Sequence, residues 1–239
     1  MKKNVLSRLW PQLCFLALLI ASIGLSAAFL LHGVRLARDS MRPGSDTTLV
    51  IDPGHGGFDG GAISDDGSKE SVINLSIALK LKTMAEFFGE KVLLTRCDDS
   101  NRTDFASYSE HEDLVMRTAL VNQTPGAVLI SIHQNDYPTS QPSGSQVLYA
   151  ETEGSEFLGK KAHQTLIDAL DPTNRRVATP APSSLFITAN VHCPAILVEC
   201  GFMSNNFEVE KLNDPAYQCK IATALTVSYL CFIIEGDNL

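Results

Sequence analysis

Residues 49–57 read LVIDPGHGG, an apolar run that passes directly into a glycine-rich turn. A second apolar run, AVLISI at residues 127–132, shows no alternation of polar and apolar side chains. Continuous runs of this kind are typical of strands buried on both faces, as in parallel sheets that are covered by helices on either side. The two runs therefore predict an α/β fold built on a mostly parallel sheet.

The segments between the strands show helical spacing. Apolar residues after Glu70 recur at intervals of four, four, three and four, which places them on one face of a helix: Ile73, Ile77, Leu81, Met84 and Phe88. Further helices are predicted at residues 112–122, 155–170 and 215–234, and further strands at residues 91–95, 145–150 and 195–198. We expect a twisted, mostly parallel sheet of about six strands with helices on both faces.

The first 43 residues are basic and contain a long apolar segment. They carry six basic residues against one acid, and the 19 residues at 13–31 have no charge. A helix of that length reaches roughly 28 Å, about the hydrocarbon thickness of a bilayer. We therefore predict a basic cytoplasmic segment at 1–12, a transmembrane helix at 13–31, a linker at 32–47 and a globular domain at 48–239. The alternatives are a signal peptide cleaved near Ser26-Ala27-Ala28, and a buried soluble helix.

The remainder of the chain is strongly acidic. After residue 43 there are 26 acidic and 13 basic residues, and no cluster of Lys and Arg is larger than a pair. An acidic surface repels phosphate backbones, which excludes nucleic acid as a partner. The apolar fraction of 44% is that of a packed protein and excludes a disordered chain.

Four ionisable side chains are predicted to meet at one edge of the sheet, because ligand sites lie at the carboxyl ends of parallel strands. His55, His133 and Glu199 each follow a predicted strand, and Glu70 begins a helix. Two histidines and one carboxylate around an open position make a catalytic zinc site, where bound water has a pKa of about 7 and a second carboxylate serves as general base. Each residue alone has an ordinary structural explanation, such as a surface histidine or an acid at a helix N-terminus. Their joint placement is what indicates a site.

Four motifs follow one another along the chain: IDPGHGGFDGGA at residues 51–62, Glu70 fifteen residues after His55, SIHQN at 131–135 and VECGFMSN at 198–205. Together with Thr95-Arg96 and with Arg117 and Asn122, these motifs resemble the zinc-dependent N-acetylmuramoyl-L-alanine amidases (amidase type 3) of bacterial cell walls. The resemblance covers about residues 48–234.

The resemblance implies a function for the domain at 48–239. His55, Glu70 and His133 would bind one Zn²⁺ per chain, and Glu199 would be the catalytic carboxylate. The reaction would be hydrolysis of the amide bond between N-acetylmuramic acid and L-alanine in peptidoglycan by zinc-activated water.

Within that family the chain resembles most the membrane-anchored, single-domain type that acts on spore cortex. The apolar N-terminal segment, the short middle segment and the run Asn174-Arg175-Arg176 carry this resemblance. The chain between Asn135 and Ala195 is too short for the long blocking helix of some members, so regulation is expected from an activating protein partner or from the timing of expression. The catalytic domain is expected outside the cytoplasm, at the membrane or in the forespore intermembrane space, or secreted if the signal is cleaved.

Weaker predictions concern residues near the motifs. Asp52 and Asp59 flank His55 and are candidates to orient its ring, with turn formation as the equal alternative. Arg96 and Arg117 are candidates to bind substrate carboxylates, although structural ion pairing is favoured. Asn135 is a candidate substrate contact.

Two other functions stay open on the sequence alone. One is a zinc peptidase that cuts within the stem peptide, since α/β zinc carboxypeptidases use the same ligand set. The other is a non-catalytic module that binds peptidoglycan or activates another enzyme; the intact set of four site residues argues against it.

Overall fold

The computed structural model describes residues 47–99 and 109–235, together with residues 17, 20, 21, 24 and 28. The chain divides into two units, Met1–Ser45 and Asp46–Leu239, and the second contains all the strands of the sheet described here. Apart from those five positions, the predicted segments at 1–12 and 13–31 and nearly all of the linker lie outside the described residues, so the transmembrane helix stays a prediction.

Six strands form one sheet in the order β2-β1-β3-β6-β4-β5. All neighbouring pairs are parallel except β4 and β6, which are antiparallel. This confirms the predicted six-stranded, mostly parallel sheet. The strands are β1 Thr48–Pro53, β2 Lys91–Leu94, β3 Ala127–Asn135, β4 Gln146–Tyr149, β5 Thr179–Pro180 and β6 Ala195–Phe202.

Helices follow the strands along the chain. Within the described ranges they are α1 Glu70–Phe87, α2 Glu110–Gln123, α3 Ser155–Leu170, α4 Phe186–Asn190, α5 Asn206–Asn213 and α6 Pro215–Glu235. The side chain of Ser109 accepts a hydrogen bond from the Glu112 amide and so caps α2, which therefore begins two residues earlier than predicted. Helix α1 ends at Phe87, one residue before the last apolar residue of its predicted face.

Both faces of the sheet are covered, because successive residues of a strand point to opposite sides. Ile51 and Ile130 pack with residues of α1, α3 and α6 in one buried cluster. Their neighbours Val50 and Leu129 pack with residues of α2 and α4 in a second cluster. A fully buried aliphatic side chain contributes about 1.5–3 kcal/mol, so these two clusters hold the central strands in register.

Three short elements were not predicted, and two of them have no clear signal in the sequence. Strand β5 has two residues and α4 has five, which is too short for a periodic pattern. Helix α5 did carry a signal, since Asn205 caps it through the amides of Phe207 and Glu208, and an acid three residues after a cap is a typical start of a helix.

Helix α6, Pro215–Glu235, is long and apolar enough to cross a membrane when judged only by length and composition. Over half of its apolar window is buried inside the protein. Ile221, Leu225 and Tyr229 are fully buried in the first core cluster, so the contacts of α6 are those of a core helix.

Candidate metal and catalytic site

The turn after β1 brings two histidines together. Among the described residues, His55 is the one residue other than glycine with a positive φ, 59°. A left-handed conformation is strained for such a residue and persists only where its surroundings hold it. Parallel pairing of β1 with β3 places Gly54 against His133, and a Cβ at position 54 would lie 2.2 Å from the His133 Cε1 atom. Only glycine fits there.

Glu70, at the first position of α1, bridges the two histidines. Its Oε2 lies 3.3 Å from His55 Nε2 and its Oε1 lies 3.1 Å from His133 Nδ1. On the other side of the His55 ring, Asp59 Oδ2 lies 2.6 Å from Nδ1. Ligand-capable atoms of His55, Glu70 and His133 all lie within 4.8 Å of one another, so this group could hold a metal ion.

The Glu70 carboxylate is buried and held by backbone and side-chain donors. Oε2 accepts from the Ala62 amide at 3.0 Å, while Oε1 accepts from the Gln134 amide at 2.9 Å and from Asn74 Nδ2 at 3.2 Å. Asn74 was not predicted as a site residue. Its signal was available, because it lies four residues after Glu70 on the same helix face.

Glu199 lies in β6, directly opposite His133 of β3. Its Oε2 atom is buried and has no hydrogen-bond partner among the described residues. Burial raises the pKa of Glu199 to about 7, with Glu70 as a further raising charge against the lowering effect of the two histidines. A carboxyl group with a pKa near neutrality can both accept and return a proton.

Nearby charges also shift the pKa values of Glu70 and His55, in each case in favour of the charged form. Burial alone would raise the pKa of Glu70, but the hydrogen bonds and charges of the two histidines outweigh it and hold that pKa well below its usual range. Burial lowers the pKa of His55, but the carboxylates of Asp59 and Glu70 outweigh it and raise the pKa to about 10. Two carboxylates around His55 thus create a strong preference for positive charge, which a divalent cation also satisfies.

Arg117 of α2 is buried, and its guanidinium donates hydrogen bonds to the turn that follows β1. Its Nη2 donates to the His55 carbonyl at 2.7 Å, and its Nη1 donates to the Pro53 carbonyl at 2.8 Å and to Asp52 Oδ1 at 3.0 Å. Its Nε donates to Asp113 Oδ2 at 2.7 Å. These donors are directed to the backbone and to buried acids.

Arg96 holds the same turn from the other side. Its Nε donates to the Pro53 carbonyl at 2.9 Å and its Nη2 to the carbonyls of Gly54 and Ser71 at 3.0 and 2.8 Å. Its Nη1 donates to the Asp98 carbonyl at 2.8 Å. We call Arg96 and Arg117 together the arginine clamp, because between them they bind three successive carbonyls, those of residues 53–55.

Asp52 binds to the arginine clamp through Arg117. It accepts hydrogen bonds from Thr95 Oγ1 at 2.6 Å and from Ser131 Oγ at 2.7 Å besides that from Arg117. Of the two aspartates that flank His55 in the sequence, Asp59 is the one that contacts the ring.

A pocket of about 230 Å³ opens beside these groups, lined by His55, His133 and Glu199 and by residues 184–187 at the start of α4. Asn135, at the end of β3, lines a different depression, which also includes Gln146, the β4 partner of Glu199. The pocket therefore presents two imidazoles and the Glu199 carboxylate to a bound molecule.

The sequence matches the family described as N-acetylmuramoyl-L-alanine amidase over residues 49–228. The chain belongs to this family. The germination-specific N-acetylmuramoyl-L-alanine amidase of Bacillus subtilis (strain 168) is 32% identical over 203 residues, which cover 82% of this chain and 84% of that protein.

Two solved amidase structures are also similar. The CwlD amidase from Clostridioides difficile, solved in complex with the GerS lipoprotein, has 33% identity and a TM-score of 0.73, and the match covers 78% of this chain and 98% of that chain. The N-acetylmuramoyl-L-alanine amidase from Clostridium difficile 630 has 28% identity and a TM-score of 0.68, covering 79% and 98%. The family match and these relatives confirm the prediction that the chain is an amidase of this family.

Proposed function

We propose that this amidase cuts the bond between N-acetylmuramic acid and L-alanine with one zinc ion held by His55, Glu70 and His133, and with Glu199 as the acid and base. The observation that carries the proposal is the arrangement of ligand atoms of those three residues within 4.8 Å of one another, beside the buried Oε2 of Glu199, which has no hydrogen-bond partner among the described residues.

The donor set fits zinc. Two imidazoles and one carboxylate are the protein ligands of many catalytic zinc sites, and a histidine that also contacts a carboxylate, as His55 contacts Asp59, is a usual arrangement around zinc. When bound, zinc supplies Lewis-acid polarisation of the scissile carbonyl and lowers the pKa of water.

Glu199 supplies the proton transfers. Its Oε2 accepts the proton of the attacking water and then donates it to the departing alanine nitrogen, which is a poor leaving group without that proton. The new C–O bond forms first, the amide C–N bond breaks once its nitrogen has received the proton, and the products are a muramic carboxylate and a peptide with a free amino terminus.

The arginine clamp holds the proposed metal ligand His55 in position. The clamp explains how His55 keeps its left-handed backbone conformation, because Arg117 binds the His55 carbonyl and Arg96 binds the Gly54 carbonyl before it. Without that support the chain at 53–55 would relax toward more favourable backbone angles, and the imidazole would leave its place beside Glu70.

We expect Arg117→Lys to weaken zinc binding by about 10- to 100-fold, since loss of a group that only supports a metal ligand has that cost. The lysine keeps the charge opposite Asp52 but lacks the rigid planar guanidinium with which Arg117 reaches four separate acceptors. Zinc affinity is measured by competition with a chelator, beside the melting temperature of the metal-free protein. A loss of melting temperature with unchanged zinc affinity would show that Arg117 is only structural.

The cellular setting is also proposed from the relatives. The Bacillus subtilis relative is named germination-specific, and the Clostridioides difficile relative was solved with a lipoprotein. These names, together with the apolar segment at 13–31, support a role in spore-cortex remodelling, a lipoprotein as activating partner, and a membrane anchor that holds a catalytic domain at 48–239 outside the cytoplasm.

Product analysis tests the reaction. The full chain in detergent, loaded with zinc, is incubated with purified peptidoglycan, and the soluble products are identified by mass spectrometry. We expect about one zinc per chain and whole stem peptides with a free L-alanine amino terminus. Peptides cut internally would indicate a zinc peptidase, and intact peptidoglycan bound by a zinc-free protein would indicate a binding module.

A further inference from the structure

A second depression lies at the same edge of the sheet as the catalytic pocket. It has a volume of about 520 Å³ and is lined by residues that include Asn135, Tyr137, Gln146, Arg176 and Phe202. We call it the Arg176 groove. Of the five residues, Asn135 is the predicted substrate contact, and Arg176 belongs to the run Asn174-Arg175-Arg176 that contributes to the resemblance to the spore-cortex type.

The groove begins one strand away from Glu199. Gln146 of β4 pairs directly with Glu199 of β6, and Asn135 of β3 pairs with Phe202 of β6. Neighbouring strands are about 4.7–4.9 Å apart, and residues directly opposite each other in an antiparallel pair share a face of the sheet. A molecule cut at Glu199 can therefore extend across the start of β4 into the groove.

Arg176 is held in place although it lies outside every helix and strand. Its guanidinium lies over the ring of the buried Phe202, 4.8 Å from the ring centroid, and its Nε donates to the Ser143 carbonyl at 3.3 Å. Its backbone amide donates to Asn174 Oδ1 at 3.0 Å, and its carbonyl lies 2.8 Å from Nε2 of the buried His163. The side chain is thus positioned in advance of any ligand.

No acid within the described ranges forms an ion pair with Arg176. Glu208, the buried carboxylate near the same loop, instead accepts from the amides of Gly144 and Phe202. Acids outnumber bases two to one after residue 43, so an arginine that is positioned but unpaired in a groove is a site for an anion from outside. A guanidinium fork matches the geometry of a carboxylate.

We propose that Arg176 binds a carboxylate of the peptide that leaves in the amidase reaction, so that the groove takes the peptide side of the substrate and sets its specificity. This inference rests on the proposed function. It places the scissile bond at Glu199, the peptide in the Arg176 groove across the start of β4, and the muramic acid on the side of the catalytic pocket.

The test uses two muramoyl peptides that differ only in whether the carboxylates of the peptide are free or converted to carboxamides. With the full chain in detergent, we expect kcat/KM to be about tenfold higher for the free carboxylates, as one charge-assisted hydrogen bond provides. Arg176→Gln should remove this preference through KM, with little change for the carboxamide substrate. Arg175→Gln, a matched charge change at the exposed neighbouring residue, should keep the preference.

A purely structural role gives a different result. Arg176→Gln would then lower the melting temperature and reduce the activity on both substrates alike, which would overturn the proposal, as would a wild-type enzyme that does not discriminate between them.

Binding of the released peptide provides a readout that does not need hydrolysis. Calorimetry with the free peptide and its carboxamide should show tighter binding of the free acid by the wild type and by Arg175→Gln, and equal binding by Arg176→Gln. If neither substrate is cut, the proposed function fails, whereas the peptide titration still decides the role of Arg176. Equal binding of both peptides by the wild type refutes it.

Discussion

Glu199→Gln should remove most of the hydrolytic rate while zinc remains bound. A positioned acid and base contributes typically about 10²- to 10⁴-fold, and an amide of the same shape can neither accept the water proton nor return it to the leaving nitrogen. We therefore expect kcat to fall by about 10²- to 10⁴-fold. The measurements are kcat on purified peptidoglycan and zinc per chain by elemental analysis.

The geometry of Glu199 makes this variant a clean test. Its Oε2 has no hydrogen-bond partner among the described residues, so the substitution breaks no hydrogen bond that the fold depends on. Glu210→Gln, at an exposed position of α5, is the matched control and should retain full activity. A Glu199→Gln enzyme with wild-type kcat would remove Glu199 from the reaction.

The four central residues could be predicted because their positions follow from topology. In a parallel sheet every strand ends at the same edge, so residues far apart in the sequence, such as His55, His133 and Glu199, are brought together by the order of strands alone. The apolar runs predict strands that end just before His133 and Glu199. In the structure both residues lie inside β3 and β6, because these strands continue to pair beyond the apolar runs. Pairing partners are not visible in either run alone.

The roles of the flanking polar residues depend on contacts that no local pattern reports. Asp52 and Asp59 both lie within four residues of His55, yet Asp59 contacts the ring and Asp52 contacts Arg117. The reason is that Asp52 is still in β1, whereas Asp59 lies beyond it, where the turn folds back and Gly56 pairs with Asp59. The carbonyls that Arg96 and Arg117 bind are invisible to composition or periodicity. Arg176 is a similar case, since its setting depends on a loop fixed by His163 and Asn174.

Backbone conformation also limited prediction. The motif DPGHGG suggested a tight turn, but not that His55 itself would take the left-handed conformation while Gly54 would not. The reason is that Gly54 is needed for close approach to the His133 ring, a contact between residues nearly eighty positions apart. A glycine-rich motif therefore indicates that the backbone closely approaches another residue, but it does not identify that residue.

The metal itself gives the second large effect. His133→Ala removes one of three proposed ligands, and we expect zinc affinity to fall by more than the about 10- to 100-fold that loss of a supporting residue costs. Activity on peptidoglycan should fall to background. His192→Ala, at an exposed histidine outside the site, should bind zinc as the wild type does.

Thermal unfolding with and without zinc separates loss of the metal from loss of the fold. A ligand at 100 times its Kd stabilises the folded state by about 2.7 kcal/mol, so the wild type and His192→Ala should melt at a higher temperature with zinc present. For His133→Ala we expect a cooperative transition that zinc does not shift, because the ring is half-buried at the edge of the sheet and outside both buried apolar clusters. If zinc still raises its melting temperature as in the wild type, the ion lies elsewhere. Glu70 would then be a carboxylate that only pairs two histidines, and the mechanism would need another source of activated water.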